Sequence, residues 1–194
     1  SSWSIAEILI RQGSARGEAL IRSLLNHSIK CFALSPSLYD ELSGTETPQG
    51  VMAVIHKPQI EVPLWSAHSF LLLVDQVQDP GNLGALIRTA DAAGVGAVIL
   101  GKGTTDPFAE KVIRATQGSL FHLSLYQGEL LPVVDELKRA GWLVVGSVVD
   151  EALDLRQVHI APGQKLALIM GNEGRGISPE LLGRTSFNVK IPLW

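Results

Sequence analysis

The chain has 194 residues, of which 46% are hydrophobic and 18% charged, with a formal net charge of −3. That length and apolar content suffice for a sizeable core, which excludes a disordered chain and fits one large domain or two small ones. The negative balance excludes a protein that grips nucleic acid through bulk positive charge, so any such site must be a local cluster.

The longest apolar runs, such as FLLLV and AVIL, fall well short of the roughly 20 residues that cross a bilayer. The start has no charged segment leading into an apolar one, so the reading is a soluble, cytoplasmic protein with no membrane partner. The single cysteine, Cys31, cannot form an intramolecular disulfide and is expected to be a small buried hydrophobe. The histidines at 27, 56, 68, 122 and 159 show no metal-ligand spacing, so no metal is expected and none of them receives a role.

In chain order, EALIRSLLNHS predicts an amphipathic helix, IKCFALS a strand, PSLYDELSG a short helix and QGVMAVIHKP a further strand. These make a small α/β unit over residues 1–62. The two prolines and weak periodicity of KPQIEVPLWSAHS suit a linker. From 66 to 194 strands alternate with helices: strand 70–77, helix 83–93, strand 95–100, helix 107–117, strand 120–126, helix 129–140, strands 142–149 and 165–170, helix 178–185 and strand 187–193. Such alternation predicts a mostly parallel sheet covered on both faces, and the near-continuous apolar strands agree. Ligands of such sheets bind where loops leave the carboxyl ends of the strands.

Two of those loops stand out. In DPGNLGALIRTAD, Asp79-Pro80-Gly81-Asn82 is a strong turn signal and Asn82 is placed to cap the following helix. Leu83, Leu86, Ile87 and Ala90 share one helical face, expected to dock on the sheet. Gly84 and Arg88 share another, and Arg88 is expected to lean over Gly84, which leaves it room, toward the loop end of the sheet. A plain surface pair between Arg88 and Asp91 accounts for the local pattern equally well. The second loop, MGNEGRGIS, precedes a helix announced by Ser178 as cap and Pro179 at the first position. Its glycine order is not that of a dinucleotide fingerprint, and it lacks the lysine of a phosphate loop. Glu173 at its centre would repel a pyrophosphate but could hold a cation, a hydroxyl or a guanidinium such as that of Arg88. A flexible turn is the alternative.

Together, N-x-G-x-x-x-R-T-A at Asn82, Gly84, Arg88, Thr89 and Ala90, and I-M-G-N-E-G-x-G from Ile169 to Gly176, resemble the first two motifs of the SpoU (TrmH) family of RNA ribose 2′-O-methyltransferases, within the SPOUT superfamily. KVIRATQGSLF is similar to the family's middle segment, and FNVKIPLW to the opening of its third motif. The resemblance covers essentially residues 70–194. LSGTETPQGVMAVIHKP is similar to the end of the small RNA-binding domain that precedes the catalytic domain in many members; the stretch before EALIRSLL is expected to lack that domain's first strand.

The resemblance implies an α/β fold of the SPOUT type: a Rossmann-like parallel sheet with a carboxyl-terminal trefoil knot, plus the small amino-terminal α/β domain. The third motif breaks off at Trp194, so the end of the knot is expected to lie outside the given residues. It further implies S-adenosylmethionine as methyl donor and, by the presence of the first unit, ribosomal rather than transfer RNA as acceptor, acted on by a homodimer without metal. Arg88, Asn82 and Glu173 carry over as catalytic residues. Donor contacts through backbone groups carry over to Ile169, Met170, Gly171, Ile191 and Leu193, with Ser147 and Val148 bordering the methionine tail. Lys111 and Arg114, three apart on one helix, are candidates for RNA phosphate contacts, with a solvated helix face as the alternative. The competing readings are a transfer RNA 2′-O-methyltransferase and an RNA-binding member that has lost catalysis. A nicotinamide-dependent dehydrogenase is disfavoured by the missing glycine fingerprint.

Overall fold

In the computed structural model, which describes residues 3–24, 28–58, 65–150 and 152–192, the chain divides into two units, residues 1–59 and 60–194. The first is built around strand β1 (Ser4–Arg11), the strand that the sequence reading expected to be absent. Isoleucines at 8 and 10 point to the buried side of β1 while Leu9 between them is only half-buried. The period of two is hidden in sequence because Ile8, Leu9 and Ile10 are all apolar. Helix α1 (Ala15–Leu24), strand β2 (Lys30–Leu34), helix α2 (Pro36–Ser43) and strand β3 (Val51–His56) follow. The sheet order is β2-β1-β3, with β1 parallel to β2 and antiparallel to β3. Gly17 lets α1 lie on the sheet: a Cβ there would stand 2.2 Å from Cγ2 of Ile10. Cys31, expected to be buried, is exposed because β2 is an edge strand with little packed on it.

The second unit runs β4 (Phe70–Val74), α3 (Pro80–Ala92), β5 (Ala97–Gly101), α4 (Glu110–Ala115), β6 (Ser124–Gly128), α5 (Leu130–Arg139), β7 (Leu143–Ser147), β8 (Leu153–Asp154), β9 (Leu166–Met170), α6 (Pro179–Leu182) and β10 (Phe187–Lys190). Its seven strands form one sheet, β6-β5-β4-β9-β7-β10-β8, in which every pairing is parallel. The chain lays β4, β5 and β6 outward to one edge, then crosses over. Strand β9 enters between β4 and β7, and β10 between β7 and β8. As a result the carboxyl ends of β4, β9, β7 and β10, which come from distant parts of the chain, stand side by side.

Four elements differ from expectation, among them the helix expected at 107–117, which shortens to Glu110–Ala115. The strand expected at 120–126 begins at Ser124, because Gln117 and Gly118 take positive φ values of 52° and 97° and turn the chain through a 3-10 turn at Ser119–Phe121. Strand β8 is two residues long, too short to leave a pattern. Helix α6 is a single turn rather than the expected eight residues.

The sheet's two faces are covered as the apolar strands require. One core joins Leu71, Leu73, Ile99, Val144, Ala167 and Ile169 to Val134 and Leu137 of α5 and Leu181 of α6. Trp65 closes that core, edge-on to Tyr126 at 6.3 Å between ring centroids. Leu83, Ile87 and Ala90 of α3 are buried as predicted, whereas Leu86 is half-exposed. Gly84 does not serve Arg88. It is buried where α3 crosses α4, and a Cβ there would lie 2.3 Å from Cβ of Ala115. No helix among the described residues is long and apolar enough to cross a membrane.

Gly84 therefore sets a contest of known sign. Alanine gains about 1 kcal/mol of helix propensity, but overpacking against Ala115 and its backbone costs about 1–3 kcal/mol. Gly84→Ala is expected to lower the denaturant midpoint, while Gly128→Ala, which meets nothing within 4 Å, should stay within about 0.5 kcal/mol of the parent.

Candidate active site

The loop after β4 starts with an acid set in an apolar strand end. Asp75 is 5% exposed, and its Oδ2 accepts a 2.7 Å hydrogen bond from the Ser178 N–H, so it holds the far end of the second loop from underneath. Gln76 follows with φ of 56°, a left-handed residue without the freedom of glycine, stored where the chain turns toward α3. The cap of α3 is Asp79 rather than the expected Asn82: Asp79 Oδ1 accepts from the Asn82 N–H at 2.8 Å, with Pro80 at the first helical position. The shift is economical in hydrogen bonds, since it leaves the Asn82 side chain unused by the helix.

The second loop is not a flexible turn. Asn172 and Gly176 exchange backbone hydrogen bonds of 2.9 Å in both directions. Inside that ring, Asn172 Oδ1 accepts from the N–H groups of Gly174 and Arg175, each at 3.0 Å, while its amide donates to the Gln76 carbonyl at 2.7 Å. Gly176 supplies the positive φ of 70°. Gly171 allows the ring to close, because a Cβ there would lie 2.3 Å from backbone atoms of Gly176 and Ile177.

So fixed, the loop presents Glu173 to the start of α3. Its Oε1 accepts from the Asp79 N–H at 3.1 Å and from the Asn82 side-chain amide at 3.2 Å, and its Oε2 accepts from the Gln78 N–H at 3.3 Å. A carboxylate at a helix amino terminus is favoured by the free N–H groups and the helix dipole. Partial loss of water around the carboxyl pushes its pKa up. The N–H groups of Glu173 itself and Asp79, the Asn82 amide and the Gln78 N–H together outweigh this and hold it below the usual value.

Arg88 is not Glu173's partner, contrary to expectation. It is exposed, a turn and a half along α3 from Asn82, with no side-chain partner among the described residues. Nor does it pair with Asp91, whose Oδ2 lies 2.9 Å from Nδ1 of His122, a histidine to which the sequence reading gave no role. Bonds from His122 and Ser119 lower the Asp91 pKa.

The converging strand ends enclose a cavity of about 610 Å³. Its walls are the last residue of β7 and the segment after it, Ser147 to Asp150, and the loop from Met170 to Ile177, with Leu182 and Asn188. Of the expected donor contacts, Ser147, Val148, Met170 and Gly171 line it. Ile191 lines an adjoining cavity that shares Ser147–Asp150. The contact expected of Ile169 is through its backbone; its side chain packs in the core, and the residue lines neither cavity. Leu193 lies outside the described residues. Asn188 brings a buried Oδ1 with no hydrogen-bond partner among the described residues. Across the Met170–Gly171 segment lies a recess of about 310 Å³ along α3, lined by Val77, Asn82, Ala85, Leu86, Thr89 and Glu173. Lys111 and Arg114 are exposed on α4, with Arg114 ion-paired to Glu110 one turn back. No cluster of three or more histidine, cysteine or acidic side chains suited to a metal occurs among the described residues.

Sequence reasoning missed Asp75, Asp79, Asn172 and Asn188. A lone acid ending the FLLLV run was the visible sign of Asp75, and Asp79 caps through a bond to Asn82 inside a turn that the sequence does flag; the reach of the Asn172 amide to Gln76 and the buried, unpartnered Oδ1 of Asn188 leave no local pattern.

Comparison with known proteins matches residues 69–194 to the model of the SpoU rRNA methylase family. The chain is 43% identical over 190 residues to the 23S rRNA (guanosine(2553)-2′-O)-methyltransferase RlmP of Bacillus subtilis, an alignment covering 98% of this chain and 73% of that protein. Its fold matches the crystal structure of an AdoMet-bound rRNA methyltransferase from Sinorhizobium meliloti with a TM-score of 0.84 and 27% identity, over 100% of this chain and 73% of that one. The AdoMet complex of the SpoU methyltransferase AviRb from Streptomyces viridochromogenes gives a TM-score of 0.81 and 26% identity, over 100% and 75%. With its motif loops meeting at the rim of a seven-stranded parallel sheet, this chain belongs to the SpoU rRNA methylase family.

Proposed function

We propose that the protein transfers a methyl group from S-adenosylmethionine to the 2′-hydroxyl of one nucleotide in ribosomal RNA. The observation that carries this reading is the meeting of the two motif loops through Glu173 and Asn82, beside a cavity within the range of about 300–1,000 Å³ that suits such a ligand. The residues present fit the donor. Glycine at 171 keeps the wall free of side chain, Asn188 offers an unused acceptor, and apolar Val148, Met170 and Ile177 suit a flat ring. Ribosomal RNA is favoured over transfer RNA because similarity to two rRNA enzymes extends over 98–100% of the chain, first unit included. In this reading residues 1–62 bind substrate RNA, residues 66–194 catalyse, and two copies act together in the cytoplasm.

The donor supplies an electrophilic methyl carbon. The chain's task is to place the ribose oxygen in line with it and to stabilise the charge that grows on that oxygen as its proton passes to solvent water, the donor leaving as S-adenosylhomocysteine. Positioning of this kind can supply several kcal/mol of the barrier reduction. The recess along α3, separated from the donor cavity only by Met170 and Gly171, is the proposed seat of the acceptor ribose, with Asn82 at its edge. Arg88 is proposed to stabilise the oxyanion and hold the neighbouring phosphate in a two-pronged grip; a guanidinium keeps its proton too firmly to act as base. Glu173 is assigned to holding Asn82 and the start of α3. Lys111 and Arg114 are assigned to backbone phosphates of the RNA.

Arg88→Ala is expected to abolish methylation of ribosomal RNA in a tritiated-methyl assay while donor affinity by calorimetry stays within about two-fold; unchanged turnover would refute the assignment. Lys111→Ala should weaken RNA binding regardless of sequence and reduce the salt slope of log K by about 1. Glu173 gives a pH signature. Its pKa in the folded chain lies below its ordinary 4.5, so its stabilisation is complete above that value and is lost as pH falls through the lower folded value. Thermal melts of the parent and Glu173→Gln should therefore differ by a constant amount from pH 7 to about pH 5 and converge on further acidification. A gap that widens in acid would contradict the clamp.

A further inference from the structure

Arg175 occupies the x of G-N-E-G-x-G, the one position in the second loop that neither the motif nor the loop's hydrogen bonds account for. Only its backbone is used internally, through the N–H given to Asn172 Oδ1; its side chain is exposed and without a partner among the described residues. It is also the only lysine or arginine among the residues lining the 610 Å³ cavity, whose acids are Asp150 and Glu173. Glu173 is already engaged by three donors on the other side of the loop. The cavity thus carries one cation, on the 171–176 loop, and one carboxylate not already engaged by the loop's bonds, Asp150, in the segment that follows β7; Lys190 lines the adjoining cavity that shares this segment.

We infer that Arg175 binds the α-carboxylate of the donor's methionine portion, and so fixes which way the amino-acid end of the donor lies. The inference rests on the donor assigned above. A free amino-acid end carries one carboxylate and one ammonium, and the Arg175 and Asp150 walls match that pair in sign. A guanidinium suits a carboxylate better than any other cation does, since its planar fork can meet both oxygens. An RNA phosphate is the rival occupant. It is disfavoured because the second cavity that Arg175 lines, of about 270 Å³, also carries Asp75 and Glu180, whose charges oppose a polyanion.

The test compares two donors by isothermal titration calorimetry on the full chain: S-adenosylmethionine and decarboxylated S-adenosylmethionine, which lacks only the carboxylate. The parent is expected to prefer the former by about 10- to 100-fold, the usual range for a hydrogen-bonded charge pair. In Arg175→Ala and Arg175→Gln that preference should shrink to near unity, with affinity for the decarboxylated donor and the melting temperature unchanged. A preference retained by both variants overturns the inference. So does an equal loss for both donors, which would signal a damaged loop. If instead the parent binds neither donor nor S-adenosylhomocysteine, the donor assignment itself fails and the inference falls with it. Loss of RNA affinity with donor affinity intact assigns Arg175 to the phosphate instead.

Discussion

Three donors on one carboxylate tie this site together. The backbone of Gln78, the backbone of Asp79 and the amide of Asn82 all point at Glu173, more than ninety residues away in sequence. Helix amino termini ordinarily draw anions from solvent. Here the chain supplies its own, and in doing so welds the start of α3 to the loop that follows β9. Without that bond the cavity beside Gly171 and the recess beside Asn82 would have no fixed relation to each other, and in-line transfer between them requires one.

The clamp depends on what lies beneath it. Asp75 holds Ser178, Asn172 holds both Gln76 and the interior of its own loop, and Gly171 gives way so that the loop can close on itself. These bonds are largely backbone to side chain, and they join the loops that follow β4 and β9, which are neighbours in the sheet. Their mutual support is what makes a glycine-rich segment rigid. Composition alone would suggest the opposite.

Sheet topology explains why so much chemistry collects at one rim. Because β9 enters beside β4 and β10 beside β7, four carboxyl ends from four separate stretches of chain adjoin. Family membership fits this arrangement, and the match to RlmP over 98% of the chain extends it to the first unit. Within this frame the charges on the cavity wall come from single side chains, Arg175, Asp150 and Glu173.

Much of this was legible beforehand, in proportion to how local the signal was. The alternation of apolar strands with helices named the architecture, and the order of Asn82, Arg88 and the Gly171–Gly176 loop named the family, because strand, helix and motif patterns depend on neighbours within a few residues. Strand β1 was lost because three apolar residues in a row hide which side each faces until β2 and β3 lie against them. The cap of α3 is Asp79 rather than the expected Asn82, a difference that Pro80 at the first helical position already signals in sequence; what only the fold shows is that the Asn82 amide is taken by Glu173. The side chain of Ile169 lies in the core, as the face a strand residue takes is set by the sheet on either side of it. The sequence by itself determined the kinds of element, the loops that matter and the chemistry they can offer. Partnership was decided by the tertiary structure alone, for a hydrogen bond depends on distance and angle, and those between Glu173 and α3 exist only once β9 has been laid beside β4.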